Sequence, residues 1–378
     1  MNRKIILVAL ILLIFGASCN KQSTSVASND QQSASVEFKT IAVDDFVKHT
    51  RAASDVEGLR YTIRLTYPSQ CENKAVLETL QREFTSHVLG KKYASLTPEA
   101  AVKACINDWK KEYVDDTKEF PLIYEFICSD TILFINNALL QMKEYRYEQR
   151  GGAHGFGGSS SHLFNLQTGN EYSRNDIFKP DTADYIRWAI IDAVRNYLGI
   201  EDGEDSPIFN EDVWTEDTNF AITQKGILLT YDNQLGGEWI QDPIAIPYTR
   251  IMANLREGTP VWELAKEAVM NTLNDNSRAL LAKEGIGIGS SLEDLLKSYP
   301  KCKIEIYYTD MGSLEYSNLD EMLKGYGEDW YSAYNDWAIF TPLKPNGKEA
   351  EISFYISFKD LDNRDKYKKE SKVWMISD

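Results

Sequence analysis

The sequence predicts an α+β fold: an antiparallel sheet covered by helices, with a second, smaller α/β module at the C-terminus. Three observations carry that expectation. The element order reads strand, two helices, several strands, one helix, two strands, so strands come in runs and do not alternate one for one with helices. The helical segments carry apolar stripes with recognisable start and stop residues. From Gly285 onward a short chain with one serine-capped helix and alternating strands forms a smaller unit.

The first residues, MNRKIILVALILLIFGASCN, place Arg3 and Lys4 ahead of an apolar run from Ile5 to Phe15. A membrane-spanning helix needs about 20 apolar residues, so this run reads as an export signal over residues 1–18. Gly16, Ala17 and Ser18 leading into Cys19 resemble the lipobox of bacterial lipoproteins, with Gly16 where leucine is usual. That resemblance implies acylation of Cys19 by a palmitate-type chain, and Asn20 after it implies sorting to the outer membrane. Residues 19–40, rich in Ser, Asn and Gln, have no apolar period and read as a flexible tether.

Residues 41–256 are expected to form the main domain. In LRYTIRLTYPS, Tyr61, Ile63, Leu65 and Tyr67 alternate with Thr62, Arg64 and Thr66 as in a half-buried strand that Pro68 ends. Val76, Leu77, Leu80, Phe84 and Val88 make a helical stripe closed by Gly90. Thr97, Pro98 and Glu99 open a second helix, with Val102, Cys105, Ile106, Trp109 and Tyr113 on one face. Leu122, Tyr124, Phe126 and Cys128 mark a strand, which Ser129 and Asp130 are expected to interrupt before a second at 131–136.

A long strand from about Leu139 to Glu148 puts Met142, Glu144, Arg146 and Glu148 on one side, and Lys143, Tyr145 and Tyr147 on the other. It runs into YEQRGGAHGFGGSSSH, which holds two of the four histidines. A strand and a turn at Gly169 follow, then a new element at NDIF, then a helix with Ile186, Ile190, Ala193, Val194 and Tyr197 on one face and Gly199 as its stop. FAITQKGILLTYDN reads as a hairpin, and DPIAIPYTRI as an irregular strand because of Pro243 and Pro247.

Residues 257–284 are a helical connector, started by Thr259 and Pro260 and broken at NDNS. Residues 285–378 form the small module: GIGIG as a strand, a helix capped by serine, an alternating strand at CKIEIYYTD, a hairpin around Asn346 and Gly347, and a last strand at KVWMIS.

With 57 acidic and 41 basic residues, a net charge of −16, the chain is a poor partner for nucleic acid and for anionic membrane surfaces, and a better one for a cationic protein. Cys71, Cys105, Cys128 and Cys302 allow three full pairings; at most one bridge is expected, among the first three. His154 and His162 have no third histidine near them in sequence, and no HExxH or CxxC motif is present, so no metal and no cofactor are assigned. Ser159, Ser160 and Ser161 beside His162 lack a GxSxG elbow, and no catalytic residue is assigned. EDGEDSP lacks the spacing of a calcium loop. Tyr145, Tyr147, Phe156, Trp239 and Tyr248 fall at or near turns and strand ends, where aromatic rings serve as contact anchors.

Tyr147, Gly151, Gly152, Ala153 and His154, then Thr168 and Gly169, then Asp176, Ile177 and Phe178, with Gly226, Tyr231, Pro247 and Tyr248 later, resemble the RsiV-like extracytoplasmic domain with its PdaC-type N-terminal region. The resemblance covers about residues 42–255. It implies an envelope-facing recognition domain, in which the glycines permit a close-packed turn that His154 fixes by hydrogen bonding. The sigma-binding segment, membrane helix and deacetylase domain of that family have no counterpart here, so sigma regulation and deacetylation are not expected.

The expected function is a lipid-anchored, non-catalytic envelope protein, membrane-bound through Cys19 and facing the periplasm or cell surface. Its expected partner is a protein, with lysozyme as the candidate, or a cell-wall glycan such as peptidoglycan. The candidate binding or structural residues are Tyr145, Tyr147, Gly151, Gly152, His154, His162 and Trp239. The alternatives are an enzyme acting on peptidoglycan or another polysaccharide through a carboxylate pair, and an envelope assembly lipoprotein.

Overall fold

The computed structural model describes residues 36–52, 54–117, 122–152, 154–180, 183–200, 213–215, 218–231, 234–235, 238–239, 242–308, 312–322, 337–357 and 371–377. Residues 1–18, Cys19, the EDGEDSP loop and Ala153 lie outside them. So does the tether up to residue 35; residues 37–40, assigned to it from sequence, are already strand.

Five strands form the first sheet, in the order β1 (Glu37–Lys48), β2 (Gly58–Gln70), β3 (Tyr124–Ile135), β4 (Leu139–Arg150) and β5 (Phe156–Asn165). Neighbours are antiparallel except β2 and β3, which run parallel because two helices, α1 (Lys74–Leu89) and α2 (Pro98–Asp116), make the crossover between them. Asn73 caps α1 by accepting from the Ala75 and Val76 N–H groups, and Thr97 caps α2 by accepting from Ala100 N–H. Both helices cover one face of the sheet. Val76, Leu80, Phe84 and Val88 of α1 and Val102, Cys105 and Trp109 of α2 share a buried cluster with Tyr61, Ile63, Leu65, Phe126, Cys128, Met142 and Phe164.

Two expected breaks in this sheet do not occur. Pro68 lies inside β2, opposite Phe38 of the edge strand, beyond Arg64, where pairing with β3 has already stopped; its missing N–H therefore costs no ladder bond on that side. Asp130 lies within an unbroken β3. Its Oδ1 accepts the Thr66 N–H at 2.7 Å, so the carboxyl group stands in for the ladder just past the last β2–β3 pair, Arg64 and Ser129.

The rest of the described chain builds a second cluster. It contains α3 (Arg174–Ile177), α4 (Ala183–Leu198), β6 (Asn219–Ile222), β7 (Gly226–Thr230), a two-stranded hairpin of β8 (Gln234–Leu235) and β9 (Glu238–Trp239), β10 (Ile244–Pro247), α5 (Tyr248–Ile251), α6 (Pro260–Thr272) and α7 (Asp275–Glu284). The sheet order here is β10-β7-β6. NDNS does break α6, but Asn274 at once caps α7 by accepting from Ser277 N–H.

The C-terminal elements are α8 (Leu292–Ser298), β11 (Cys302–Tyr308), β12 (Gly312–Tyr316), β13 (Trp337–Pro342), β14 (Ser353–Ser357) and β15 (Lys372–Ser377), the strands forming one antiparallel sheet in the order β12-β11-β13-β14-β15. GIGIG is not a strand: Gly285 ends α7 in the left-handed conformation, and only the Gly289 N–H and the Ser290 carbonyl bond to Val373 of β15. Buried apolar residues run without interruption from Leu139 and Leu163 through Ile190, Leu229 and Val269 to Phe340 and Phe354. The whole is an α+β fold, as the sequence predicts.

The face of the first sheet opposite α1 and α2 meets this second cluster through Gln141, which is buried. Its Oε1 accepts Ile222 N–H at 2.7 Å, and its Nε2 donates to the Phe220 carbonyl at 3.4 Å. Gln141→Leu leaves the buried Ile222 N–H and the partly buried Phe220 carbonyl of β6 without these bonds. It is expected to cost roughly 2–4 kcal/mol, measurable as a lowered urea midpoint.

No helix among the described residues is long and apolar enough to cross a membrane. Cys71, Cys105, Cys128 and Cys302 are all free thiols, and burial pushes Cys105 and Cys302 up to about 12 and Cys128 to about 11, which keeps them unreactive.

Candidate functional site

The hairpin of β4 and β5 lies beside α2, with Arg150 bonded to Glu112, and bounds a groove of about 610 Å³. Strand alternation decides what lines it. Glu144, Arg146 and Glu148 point to the helix-covered side, and the residue opposite Arg146 is Gly158, so bare backbone faces that guanidinium. The floor is aromatic: Trp109 of α2 stacks on Phe126 of β3, ring centroids 4.8 Å apart and planes 6° from parallel. Arg150 lies over the same Phe126 ring at 5.6 Å and is hydrogen-bonded to Glu148 and Glu112.

The far wall is the start of β5. Phe156, opposite Glu148, is 86% exposed, and Tyr147 lays its ring across the chain beside it. That placement requires glycine: a Cβ on Gly155 would sit 2.4 Å from the Tyr147 phenol. At the tip, the Gly151 N–H donates to the Ile123 carbonyl at 2.9 Å, and Gln149 Nε2 donates to the Gly152 carbonyl at 3.1 Å.

The structure divides the residues singled out from sequence. Tyr147, Gly152 and His154 line the groove, and Gly151 makes its turn. His154 is exposed, and its ring makes no hydrogen bond among the described residues; Gln149 and the Gly151 N–H hold the turn in its place, which corrects the role expected of His154. Tyr145, on the same face of β4 as Tyr147, is exposed and is not part of the groove lining. Trp239 pairs through its backbone with Gln234 in the β8–β9 hairpin, and Tyr248 is core. Trp109 and Phe126 were legible only as apolar positions of their elements.

Further along β5, opposite Met142 and on the same helix-covered side, His162 belongs to a second polar cluster. Its ring stacks on His87 of α1, centroids 3.6 Å apart, and each binds one oxygen of Glu171: His162 Nδ1 lies 2.7 Å from Oε1, and His87 Nε2 lies 2.9 Å from Oε2. Glu144 approaches His162 Nε2 at 3.7 Å, a charge contact rather than a hydrogen bond. Burial alone would lower the His162 imidazole, but Glu144 and Glu171 outweigh it and raise it to about 9. Burial likewise favours a protonated Glu171, yet His162 and His87 hold it down at about 2. Neither His87 nor Glu171 was singled out from sequence, because their meeting is set by the packing of α1 against the Gly169 turn.

No family model and no curated protein matches this chain. Among solved structures, a member of the DUF3298 family from Bacteroides fragilis superposes with a TM-score of 0.54 at 20% identity, over 62% of this chain and 99% of its own. A DUF3298 family protein from Pseudomonas aeruginosa gives 0.44 at 14% identity, over 60% and 96%. The chain shares the fold of the Bacteroides protein.

Proposed function

We propose that the protein is a lipid-anchored, non-catalytic receptor of the bacterial envelope, RsiV-like in kind, that takes a cell-wall glycan strand in the groove between α2 and the β4–β5 hairpin. The groove itself supports this reading. It joins an exposed ring, Phe156, to the charged groups of Arg146 and Glu148. A sugar ring offers an apolar face to the first and hydroxyl edges to the others, while the carboxylates of peptidoglycan suit Arg146 and His154. The lipobox-like run into Cys19 and the polar tether behind it support an acyl anchor at the outer membrane with the domain held clear of the headgroups.

Lysozyme is the second reading, favoured by the net charge of −16 against a cationic partner. Cosedimentation of the purified protein with isolated sacculi at physiological salt tests the first. Retention is expected, and Arg146→Glu is expected to weaken it about tenfold or more, the scale of a lost charge-assisted contact turned repulsive. Saturable capture of lysozyme without retention on sacculi moves the assignment to the second reading. Release of soluble reducing ends, lost on an acid-to-amide substitution, moves it to an enzyme.

A further inference from the structure

The geometry points to a binding site for a divalent transition-metal ion of the Zn²⁺ type, formed by His87 of α1, His162 of β5 and Glu171 just after the Gly169 turn. One ligand atom from each lies within 4.8 Å of the others. Two imidazoles and a carboxylate are the donor set such an ion selects over Ca²⁺ or Mg²⁺, which prefer oxygen alone.

The three donors come from different elements, and the fold ties those elements together. Gly169 has φ of 78°, and a Cβ there would meet the Val76 carbonyl and Thr79 of α1 at 2.9 Å, so the turn sits directly on the helix that carries His87. The Gly169 N–H donates to the Asn165 carbonyl and the Tyr172 N–H to the Leu163 carbonyl, each at 2.7 Å, and Glu171 bridges to Phe164. Glu171 is thereby held beside β5 and His162.

Two orphaned atoms support the assignment. His162 Nε2 and Glu144 Oε2 are both buried without a hydrogen-bond partner, on residues that face one another. A histidine bound to metal through Nδ1 donates its remaining N–H, and a carboxylate is the usual acceptor. Glu144 is placed for that orienting role, which no other function described above requires. The two rings lie 28° from parallel, so one ion in line with both lone pairs needs a turn of the more exposed His87 ring about its Cβ–Cγ bond. Three protein ligands leave a fourth tetrahedral position open toward solvent, on the side where His87 and Glu171 are partly exposed.

The test is titration of the chelator-treated full chain with Co²⁺ at pH 8, where the ion has to displace the proton that Glu144 and Glu171 hold on His162. Saturation at one equivalent is expected, with the intense visible bands of a four-coordinate ion, bleached by added Zn²⁺. His162→Ala should abolish the signal. His87→Gln, at a more exposed position with less effect on packing, should abolish it too, with circular dichroism unchanged. Glu144→Gln should keep the bands and weaken affinity about 10- to 100-fold. Absence of saturable binding in the wild type, or equal affinity in the folded His87→Gln variant, overturns the assignment.

Discussion

Replacing Phe156 with alanine is expected to weaken binding of a soluble peptidoglycan fragment about 30-fold, equivalent to roughly 2 kcal/mol, with no loss of stability. The two halves of that expectation have one cause. Phe156 is 86% exposed, so folding buries almost none of the ring and its removal opens no cavity. Surface changes of this kind usually fall within about 0.5 kcal/mol of neutral. The same ring stands at the mouth of the groove, beside the glycines that keep the wall low, where it can cover the apolar face of a ligand. Calorimetric titration and thermal melting of the same two samples check both halves. An unchanged Kd would remove Phe156 from the site; a lowered Tm would make it a structural residue.

Asp130→Asn is expected to change how stability depends on pH. Asp130 is 2% exposed; burial pushes its carboxyl up from 3.8 to about 7, more than the Thr66 N–H bond and the charge of Arg64 pull it down. Oδ2 has no hydrogen-bond partner, and Glu144 is its register neighbour on β4. An unfolded chain ionises this group above about pH 4, while the folded chain keeps its proton until pH 7. Between those values the unfolded state binds fewer protons, so stability falls as pH rises, by on the order of 4 kcal/mol in all.

Asparagine keeps the acceptor for Thr66 and cannot ionise. It leaves an amide N–H unpaired, at roughly 1–3 kcal/mol. The variant is therefore expected to be more stable than wild type by roughly 1–3 kcal/mol at pH 8 and to lose less stability between pH 5 and pH 8, the decline that remains above about pH 6.5 coming from His162 and being common to the two proteins. Urea unfolding at pH 5 and pH 8 measures both. A wild-type midpoint that rises over this interval contradicts the burial of a neutral carboxyl.

Local signals in the sequence carried most of the fold. Alternation from Tyr61 to Tyr67, the Thr97–Pro98 start of α2 and the Gly199 stop of α4 each act within a few residues, and each appears as predicted. The misreadings share a different origin. Pro68 and Asp130 look like breaks until the positions of neighbouring strands are known, because each is tolerated only where β2–β3 pairing has already ended. β1 escaped notice because it is an edge strand whose side chains are mostly exposed or half-buried, so it carries little alternation.

The candidate site was legible by half. The glycine run and its aromatic neighbours identified the hairpin, but the stacking of Trp109 on Phe126 and the meeting of His87 with His162 depend on how α1 and α2 lie over the sheet. No spacing rule within a single stretch encodes that. His154, the residue most conspicuous in the sequence, turns out to line the groove without holding its turn.

Backbone hydrogen–deuterium exchange, with and without saturating peptidoglycan fragment, tests the groove most directly. The account predicts slowed exchange over the end of β4 and the start of β5, from about Arg146 to Gly158, and in the turn of α2 around Trp109, with the C-terminal sheet unchanged. Saturating ligand with no protection there, or protection confined to β11–β15, would contradict it.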